Sequence, residues 1–467
     1  MKSDCKSSRD TENNSILPIR YPIYGMRVVL CAAALLLAIV EWIQYIRLSS
    51  TASAGWVLLI GLLVSMAVNY SISRDILYPG FMFSAVWSLA VAVYDFFPFD
   101  IDQLGWTTVC IFLGGNLCFS AGCAVGDRPL SKRPAWFTES ARNNRPRRLL
   151  LLYSIVMVPL VAYSAMRMAG VYNLSSAFFI AARDAILLSK TEGRSVYGNL
   201  LVNGAPTISV STAFILVMEE NNRWLSAAGI GAAIMLGLLT TGRVVWLLLF
   251  CGLTMLALLQ RPSRSILAMW KRLATTAMII VLALMLVTLL TKNETQTEAT
   301  GDKSGLEVAA GLLAYYIGGP LAGFDYIVRH PESFLDAPNN TFAQVLGPLS
   351  ALGFRYTPPP EYDPFFPVPF PINVFTAYKN YYVDFGLMGC FAAFTFFGFI
   401  SGYLFHSAKR GNQVAIFLFA YLFFAMLFTP FQDVYHSFNR YAYVTVFGLV
   451  YFCVSRCPPK FKLRIGM

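Results

Sequence analysis

Long apolar runs recur along the whole chain and are separated mostly by short polar turns. A membrane-spanning helix needs about 20 consecutive, mainly apolar residues. The runs that approach this length lie at 25–46, 55–73, 78–94, 105–125, 149–169, 198–218, 224–239, 243–259, 273–291, 386–406, 413–429 and 438–455. The pattern predicts an all-α integral membrane protein with about twelve transmembrane helices, in which residues 1–467 form a single polytopic membrane domain.

Two longer segments interrupt this pattern. Residues 170–197 are amphipathic but too polar to cross a bilayer. Residues 292–383 contain one apolar piece, GLEVAAGLLAYYIGGPLAGF, which Gly-Gly-Pro at 318–320 divides. We therefore expect two outer loops, the second of which is large and contains two short interfacial helices. Its later part has seven prolines between Thr357 and Pro371, a density that favours extended backbone.

Composition supports a membrane protein and charge gives the orientation. Of the 467 residues, 57% are hydrophobic and only 13% are charged, which is too little charge for a soluble surface of this size. The net charge of +11 is concentrated in the turns predicted to be cytoplasmic: residues 126–149 hold seven basic and two acidic residues, whereas 292–383 hold five basic and nine acidic ones. This positive-inside bias predicts cytoplasmic N- and C-termini and argues against a nucleic-acid partner.

The polar first 24 residues lack a cleavage signal, so we expect the first span to be a retained anchor.

Cofactor chemistry is not indicated. The nine cysteines form no disulfide framework and no Cys/His metal spacing. Asp100 and Asp102 have a spacing able to hold a divalent cation, but in a short acidic turn they are better explained as solvated charge. We expect no cofactor and no metal.

Candidate chemistry gathers in the stretch NVFTAYKNYYVDFG, which directly precedes an apolar run. Tyr378 and Tyr382 can stack on sugars and hydrogen-bond to them, and Lys379 can bind an anion. Asp384 can accept a proton from a hydroxyl nucleophile. Because Asp384 also stands where the tenth span is predicted to begin, a role as a helix cap stays open.

A further candidate base and several cations fall on the predicted outer side. His436 titrates near neutral pH, which suits proton transfer. The guanidinium group of arginine matches phosphate oxygens. The outer-side arginines that we select as substrate- or diphosphate-binding residues are Arg183, Arg194, Arg243 and Arg440.

Three stretches give the chain a family resemblance: TTGRVVW at 240–246, NVFTAYKNYYVDFGLMG at 373–389 and DVYHSFNRY at 433–441. Together with the architecture, they resemble the oligosaccharide repeat-unit polymerases, the Wzy-type O-antigen polymerases of bacterial surface polysaccharide synthesis. Members of this family are also described by an Arg-then-Gly spacing of ten intervening residues. Arg183 and Gly193 are separated by nine, so the chain departs from that pattern.

The resemblance implies a GT-C-like membrane glycosyltransferase of the bacterial inner membrane whose loops 170–197 and 292–383 are periplasmic. It implies a reaction that transfers a growing chain from undecaprenyl diphosphate to a newly flipped, lipid-linked repeat unit. The implied partners are undecaprenyl-diphosphate-linked oligosaccharide, membrane lipid and a chain-length-regulating co-polymerase. Two alternatives stay open: a flippase or exporter of lipid-linked oligosaccharide, and an O-antigen ligase.

Overall fold

The protein is described by a computed structural model. The described residues are 54–96, 103–127, 145–172, 178–182, 204–219, 222–240, 243–260, 271, 275, 278, 305–333, 340–343, 346, 366–367, 371–435, 444, 447–448 and 450–452. The predicted first span at 25–46 and most of those at 273–291 and 438–455 lie outside this part of the chain.

Helices dominate the described residues. In chain order they are α1 (Ala54–Ser73), α2 (Pro79–Phe96), α3 (Trp106–Gly126), α4 (Arg145–Ala169), α5 (Ala205–Glu219), α6 (Arg223–Leu239), α7 (Arg243–Gln260), α8 (Gly305–Arg329), α9 (Tyr378–Lys409) and α10 (Gln413–Phe428). A short 3₁₀ turn, Pro331–Ser333, follows α8. In the proline-rich segment, β1 (Phe366–Pro367) and β2 (Pro371–Ile372) pair antiparallel, so these four residues have the extended backbone that the proline content predicts.

The predicted apolar segments that fall in the described part of the chain are helical. Within the described part of the chain, four helices are long and apolar enough to cross a membrane: α1, α3, residues Pro146–Ala169 of α4, and α9. The shorter apolar helices are α5, α6, residues Val244–Gln260 of α7, and α10. Apart from the short β1–β2 pair, the regular structure of the described residues is therefore helical and of membrane type, and the count of twelve spans stays a prediction.

One helix differs from the sequence-based expectation. The piece predicted to split at Gly-Gly-Pro is a single 25-residue helix, α8, with Pro320 inside it. Proline removes one backbone hydrogen bond and usually bends a helix, but burial offsets this cost here. Leu321 and Phe324 are fully buried, and the Phe324 ring stacks on Phe112 of α3 at 5.2 Å. Tertiary packing therefore carries the helix through the proline.

The centre of the fold is the contact between α3 and α9, where glycines let the two backbones touch. A Cβ atom added to Gly122 would lie 2.1 Å from the carbonyl oxygen of Thr395, and one added to Gly398 would lie 2.1 Å from that of Phe119. Gly126 and Gly402 follow at a spacing of four residues and approach the opposite backbone in the same way. Small residues at this spacing permit the close helix packing that is common in membranes.

The register of this contact shows that α3 and α9 run parallel. Residue numbers rise together along the two helices, from Gly114 beside Phe391 to Gly402 beside Cys123. Before Gly386, residues 378–385 fold back along the rest of α9, so the Tyr378 ring stacks on Phe394 at 4.1 Å. Trp106, where α3 begins, therefore lies at the same end of the bundle as Gly386, and we call this the rim end. At the opposite end, where both helices finish, Lys409 Nζ lies 2.7 Å from Asp75 Oδ2 and His406 Nε2 lies 2.9 Å from Asp127 Oδ1.

The glycine contact generates a stability prediction. Gly398→Ala should lower the free energy of unfolding by about 1–3 kcal/mol, because the new methyl group has no space between the two backbones. The matched control is Gly231→Ala in α6, where nothing lies within 4 Å of an added Cβ, so this change should be neutral or slightly stabilising. Thermal unfolding of the purified protein in detergent checks both variants. Equal melting temperatures for the two would contradict the packing described here.

Candidate functional site

A buried carboxylate joins α8 to the beginning of α3 at the rim end. Asp325 Oδ1 accepts hydrogen bonds from the Gly105 amide at 2.8 Å and the Thr108 hydroxyl at 2.5 Å. Its other oxygen lies 2.7 Å from Arg329 Nη2, and the Arg329 guanidinium also donates to the carbonyl oxygen of Gln103. A negative group at a helix N-terminus is favourable, so the position where α3 would attract an external anion is already filled by the chain itself.

Tyr378 is part of the core. Its side chain is fully buried, its ring stacks on Phe394 at 4.1 Å and meets Trp87 edge-on at 5.2 Å. Its hydroxyl donates to the carbonyl oxygen of Phe112 at 3.3 Å. These contacts make Tyr378 a packing residue in this conformation, which differs from the sugar contact that the sequence suggests.

Tyr382 lies one turn further along α9 and has a different environment. Its ring packs edge-on against Phe324 at 5.7 Å, and its side chain is partly exposed. The hydroxyl makes no hydrogen bond to any residue in the described part of the chain. Tyr382 therefore offers a hydrophobic ring held by the core and a polar group open to a ligand, the combination that suits sugar binding.

Lys379 and Asp433 bring opposite charges to the helical segment before Gly386. Only 6% of the Lys379 surface is exposed, and its ammonium group lies 5.0 Å from the centre of the Phe375 ring, a favourable cation–π arrangement. Asp433, which follows α10, is 4% exposed, and its Oδ2 accepts a hydrogen bond from Asn380 Nδ2 at 3.1 Å. Nearby, the Thr376 hydroxyl is buried without a hydrogen-bond partner among the described residues. Such concentrated buried polarity in a hydrophobic bundle indicates a functional site.

Asp384 lies at the end of the helical segment 378–385, two residues before Gly386, where the long apolar part of α9 begins. Its two carboxylate oxygens accept backbone hydrogen bonds from a distant segment, Oδ1 from Asn340 N at 3.0 Å and Oδ2 from Thr341 N at 2.6 Å. The proton-accepting role that the sequence suggests stays a prediction, but the contacts seen here are those of an anchor.

A break in α9 follows directly after Asp384. Gly386 has φ 64° and ψ −158° inside an otherwise helical run. This region of backbone space is essentially restricted to glycine, so the break depends on the residue type at this position. It separates residues 378–385, which hold the polar groups, from the long apolar part of the helix.

His330 adds a second titratable side chain at the same end. Its ring stacks on Tyr326 at 4.3 Å, and its Nδ1 lies 3.1 Å from the Tyr326 carbonyl oxygen. A carbonyl can only accept a hydrogen bond, so Nδ1 carries the proton of the neutral ring and Nε2 is left as the basic nitrogen. His330 is one turn beyond Ile327, which packs with Phe375.

The structure brings together four of the predicted site residues on α9, namely Tyr378, Lys379, Tyr382 and Asp384. His436, Arg440, Arg183 and Arg194 lie outside the described residues, as do Asp100 and Asp102. Arg243 is the first residue of α7, but its side chain is outside the described part. Among the described residues, no group of three or more His, Cys, Asp or Glu side chains is placed to hold a metal ion.

The sequence interpretation missed Asn380, Asp433, Asp325 and His330 as members of the site. Asn380 and Asp433 lie inside the very stretches that carry the family resemblance, so closer attention to their polar side chains would have found them. Asp325 and His330 are more than 200 residues from Gly105 in the chain and have no local signal that places them at the rim end.

No family model, curated protein or solved structure matches this chain.

Proposed function

We propose that the protein is a membrane glycosyltransferase that polymerises undecaprenyl-diphosphate-linked oligosaccharide repeat units on the periplasmic face. The product is O-antigen or a related surface polysaccharide. The observation that carries the proposal is the collection of polar groups in the helical segment before Gly386, where Lys379, Asn380 and Tyr382 lie close to Asp433 within an apolar bundle. An enzyme acting on a lipid-linked sugar needs such a polar centre at the level of the head group.

The chemistry requires positive charge at the leaving group. Cleavage of the sugar–diphosphate bond develops negative charge on the diphosphate, and preorganised cations stabilise it without any metal. In this proposal Lys379 serves that role together with the arginines predicted from the sequence, Arg243, Arg440, Arg183 and Arg194. Their planar donor groups match phosphate oxygens.

The acceptor hydroxyl must also lose its proton. Asp384 and His436 are the bases that the sequence suggests, and His330 is a third candidate, because its Nε2 is the basic nitrogen. Tyr382 supplies a ring and an open hydroxyl for the saccharide. The proton passes from the hydroxyl to the base as the new glycosidic bond forms and diphosphate leaves.

The proposed setting is the bacterial inner membrane, with twelve spans, a GT-C-like architecture and both termini cytoplasmic. The parallel course of α3 and α9 supports this topology. The twelve-span scheme makes them the fourth and tenth spans, which run in the same direction. In that scheme α8 is part of the periplasmic loop 292–383 and not a span, since one more crossing would reverse α9. A chain-length-regulating co-polymerase is the proposed protein partner.

The two alternative functions differ from the proposal in where polar groups are needed and in the product that is formed. A flippase or exporter needs polar groups near the middle of the membrane to carry the head group across, whereas Asp325 lies at the rim end beside the beginning of α3 and Asp384 lies two residues before Gly386. An O-antigen ligase would use a similar site, with a different acceptor. Only the product separates a ligase from a polymerase.

Deleting the gene tests the function in cells. Loss of a polymerase should leave surface lipid anchors capped by one repeat unit, because single units are still flipped and ligated. Electrophoresis of the surface polysaccharide, with complementation by the wild-type gene as control, measures this directly. Anchors carrying no repeat unit would instead identify a ligase, and lipid-linked units trapped on the cytoplasmic side would identify a flippase.

Two tyrosines one turn apart provide an internal test of the site. Tyr382→Phe should lower kcat/KM for polymerisation by about 3- to 10-fold, the value of one hydrogen bond to the sugar. Tyr378→Phe should leave kcat/KM within about twofold, because its hydroxyl bonds to a core carbonyl, and should lower the free energy of unfolding by about 1 kcal/mol. Polymerisation kinetics and thermal unfolding of both variants check this pair. A larger catalytic loss for Tyr378→Phe would overturn the assignment.

A further inference from the structure

Asp384 connects two segments that are far apart in the chain. The Asn340 and Thr341 amides, more than 40 residues earlier, each donate to a different oxygen of its carboxylate. Ala343 N then bonds to the Asn340 carbonyl and Leu346 N to the Phe342 carbonyl, so a helical turn begins here. The first amides of a helical turn lack partners within it, and Asp384 supplies those partners from another element.

Two further contacts bind the same segments together. The Thr341 hydroxyl donates to the Asn380 carbonyl oxygen at 3.4 Å, and the ring of Phe342 meets that of Phe385 edge-on at 6.1 Å. The set of contacts between residues 340–342 and the part of α9 that ends at Phe385 is hereafter the latch. It is stabilised by two charge-assisted hydrogen bonds, a weaker hydroxyl bond and an aromatic pair.

The latch reaches Lys379 and Asp433 through Asn380. The Asn380 carbonyl belongs to the latch, while its side-chain amide donates to Asp433 Oδ2 at 3.1 Å. Lys379 is the neighbouring residue in the chain. Movement of residues 340–342 would therefore be transmitted to the residue that fixes the Asp433 carboxylate.

Protonation of Asp384 would oppose the latch. A carboxylate accepts through both oxygens, but a protonated carboxyl group presents one O–H donor. Placed against the Asn340 or Thr341 amide, that donor would meet another donor and one hydrogen bond would be lost. Taking the proton of the acceptor hydroxyl would therefore disrupt the contacts that Asp384 makes here.

We infer that Asp384 is a positioning residue, which holds residues 340–342 on the outer part of α9 and thereby fixes Asn380 and Asp433 for the reaction. For its catalytic consequence this inference rests on the proposed function, whereas its structural content does not. The backbone conformation of Gly386 contributes to the latch, because it ends the helical segment that contains Asp384 two residues after that side chain.

Hydrogen–deuterium exchange of the full chain in nanodiscs tests the structural content. Asp384→Ala should speed exchange of the Asn340 and Thr341 amides by about 10- to 100-fold, because each loses a bond to a charged acceptor. Asp384→Asn retains one acceptor oxygen, so one amide should exchange faster and the other should stay protected. The matched control, Glu332→Gln, alters an exposed carboxylate of the same loop and should leave both rates unchanged. Unchanged exchange in both Asp384 variants would overturn the inference.

Kinetics separate positioning from proton transfer. The residual polymerisation by Asp384→Asn should follow the pH profile of the wild type, with a lower kcat, because the proton acceptor is still present. Complete loss of activity with a folded protein and unchanged amide exchange would instead make Asp384 the base and overturn the inference.

A wild-type protein that forms no polymer would refute the proposed function, while the exchange rates would still decide the role of Asp384. If Asp384→Ala does not fold, Asp384→Asn carries both measurements.

Discussion

The close contact between the backbones of α3 and α9 is the constraint on which the rest of the structure depends. Gly122 and Gly126 face α9, and Gly398 and Gly402 face α3, with no space for even a methyl group between them. Since lipid tails are as apolar as leucine, helices in a membrane associate through such fitted contacts and interhelical hydrogen bonds. The register set by the glycines leaves the inner half of the bundle to Tyr378, which packs between Phe112 of α3 and Phe394 of α9.

Two carboxylates connect further segments of the chain to the helix pair that the glycines bring together. Asp325 joins α8 to the beginning of α3, and Asp384 joins residues 340–341 to α9. Both bind backbone amides at the beginning of a helical segment that belongs to another part of the chain, where a negative charge is favourable. In an apolar bundle such bonds are specific, because an unpaired carboxylate would be costly to bury. The carboxylates of Asp325 and Asp384 therefore both connect the helices near the rim end and supply negative charge there.

Much of the fold follows from local sequence, but the site does not. Apolar length alone predicts α1, α3 and α10 almost to the residue, because each run is bounded by polar turns. The same reasoning fails at Pro320, where burial of Phe324 outweighs a local helix breaker. It also fails at Asp384, whose partners lie more than 40 residues away. The sequence indicates that polar chemistry collects at 373–386, but only the three-dimensional arrangement separates the buried Tyr378 from the accessible Tyr382.

The most direct measurement is reconstitution of the purified chain in proteoliposomes with undecaprenyl-diphosphate-linked repeat units. We expect the units to lengthen into a ladder of oligomers, with undecaprenyl diphosphate released in step with each added unit. No metal should be needed for this. Units that cross the bilayer without becoming longer, or that remain single while the protein is folded, would contradict a polymerase whose site includes Lys379, Tyr382 and Asp433.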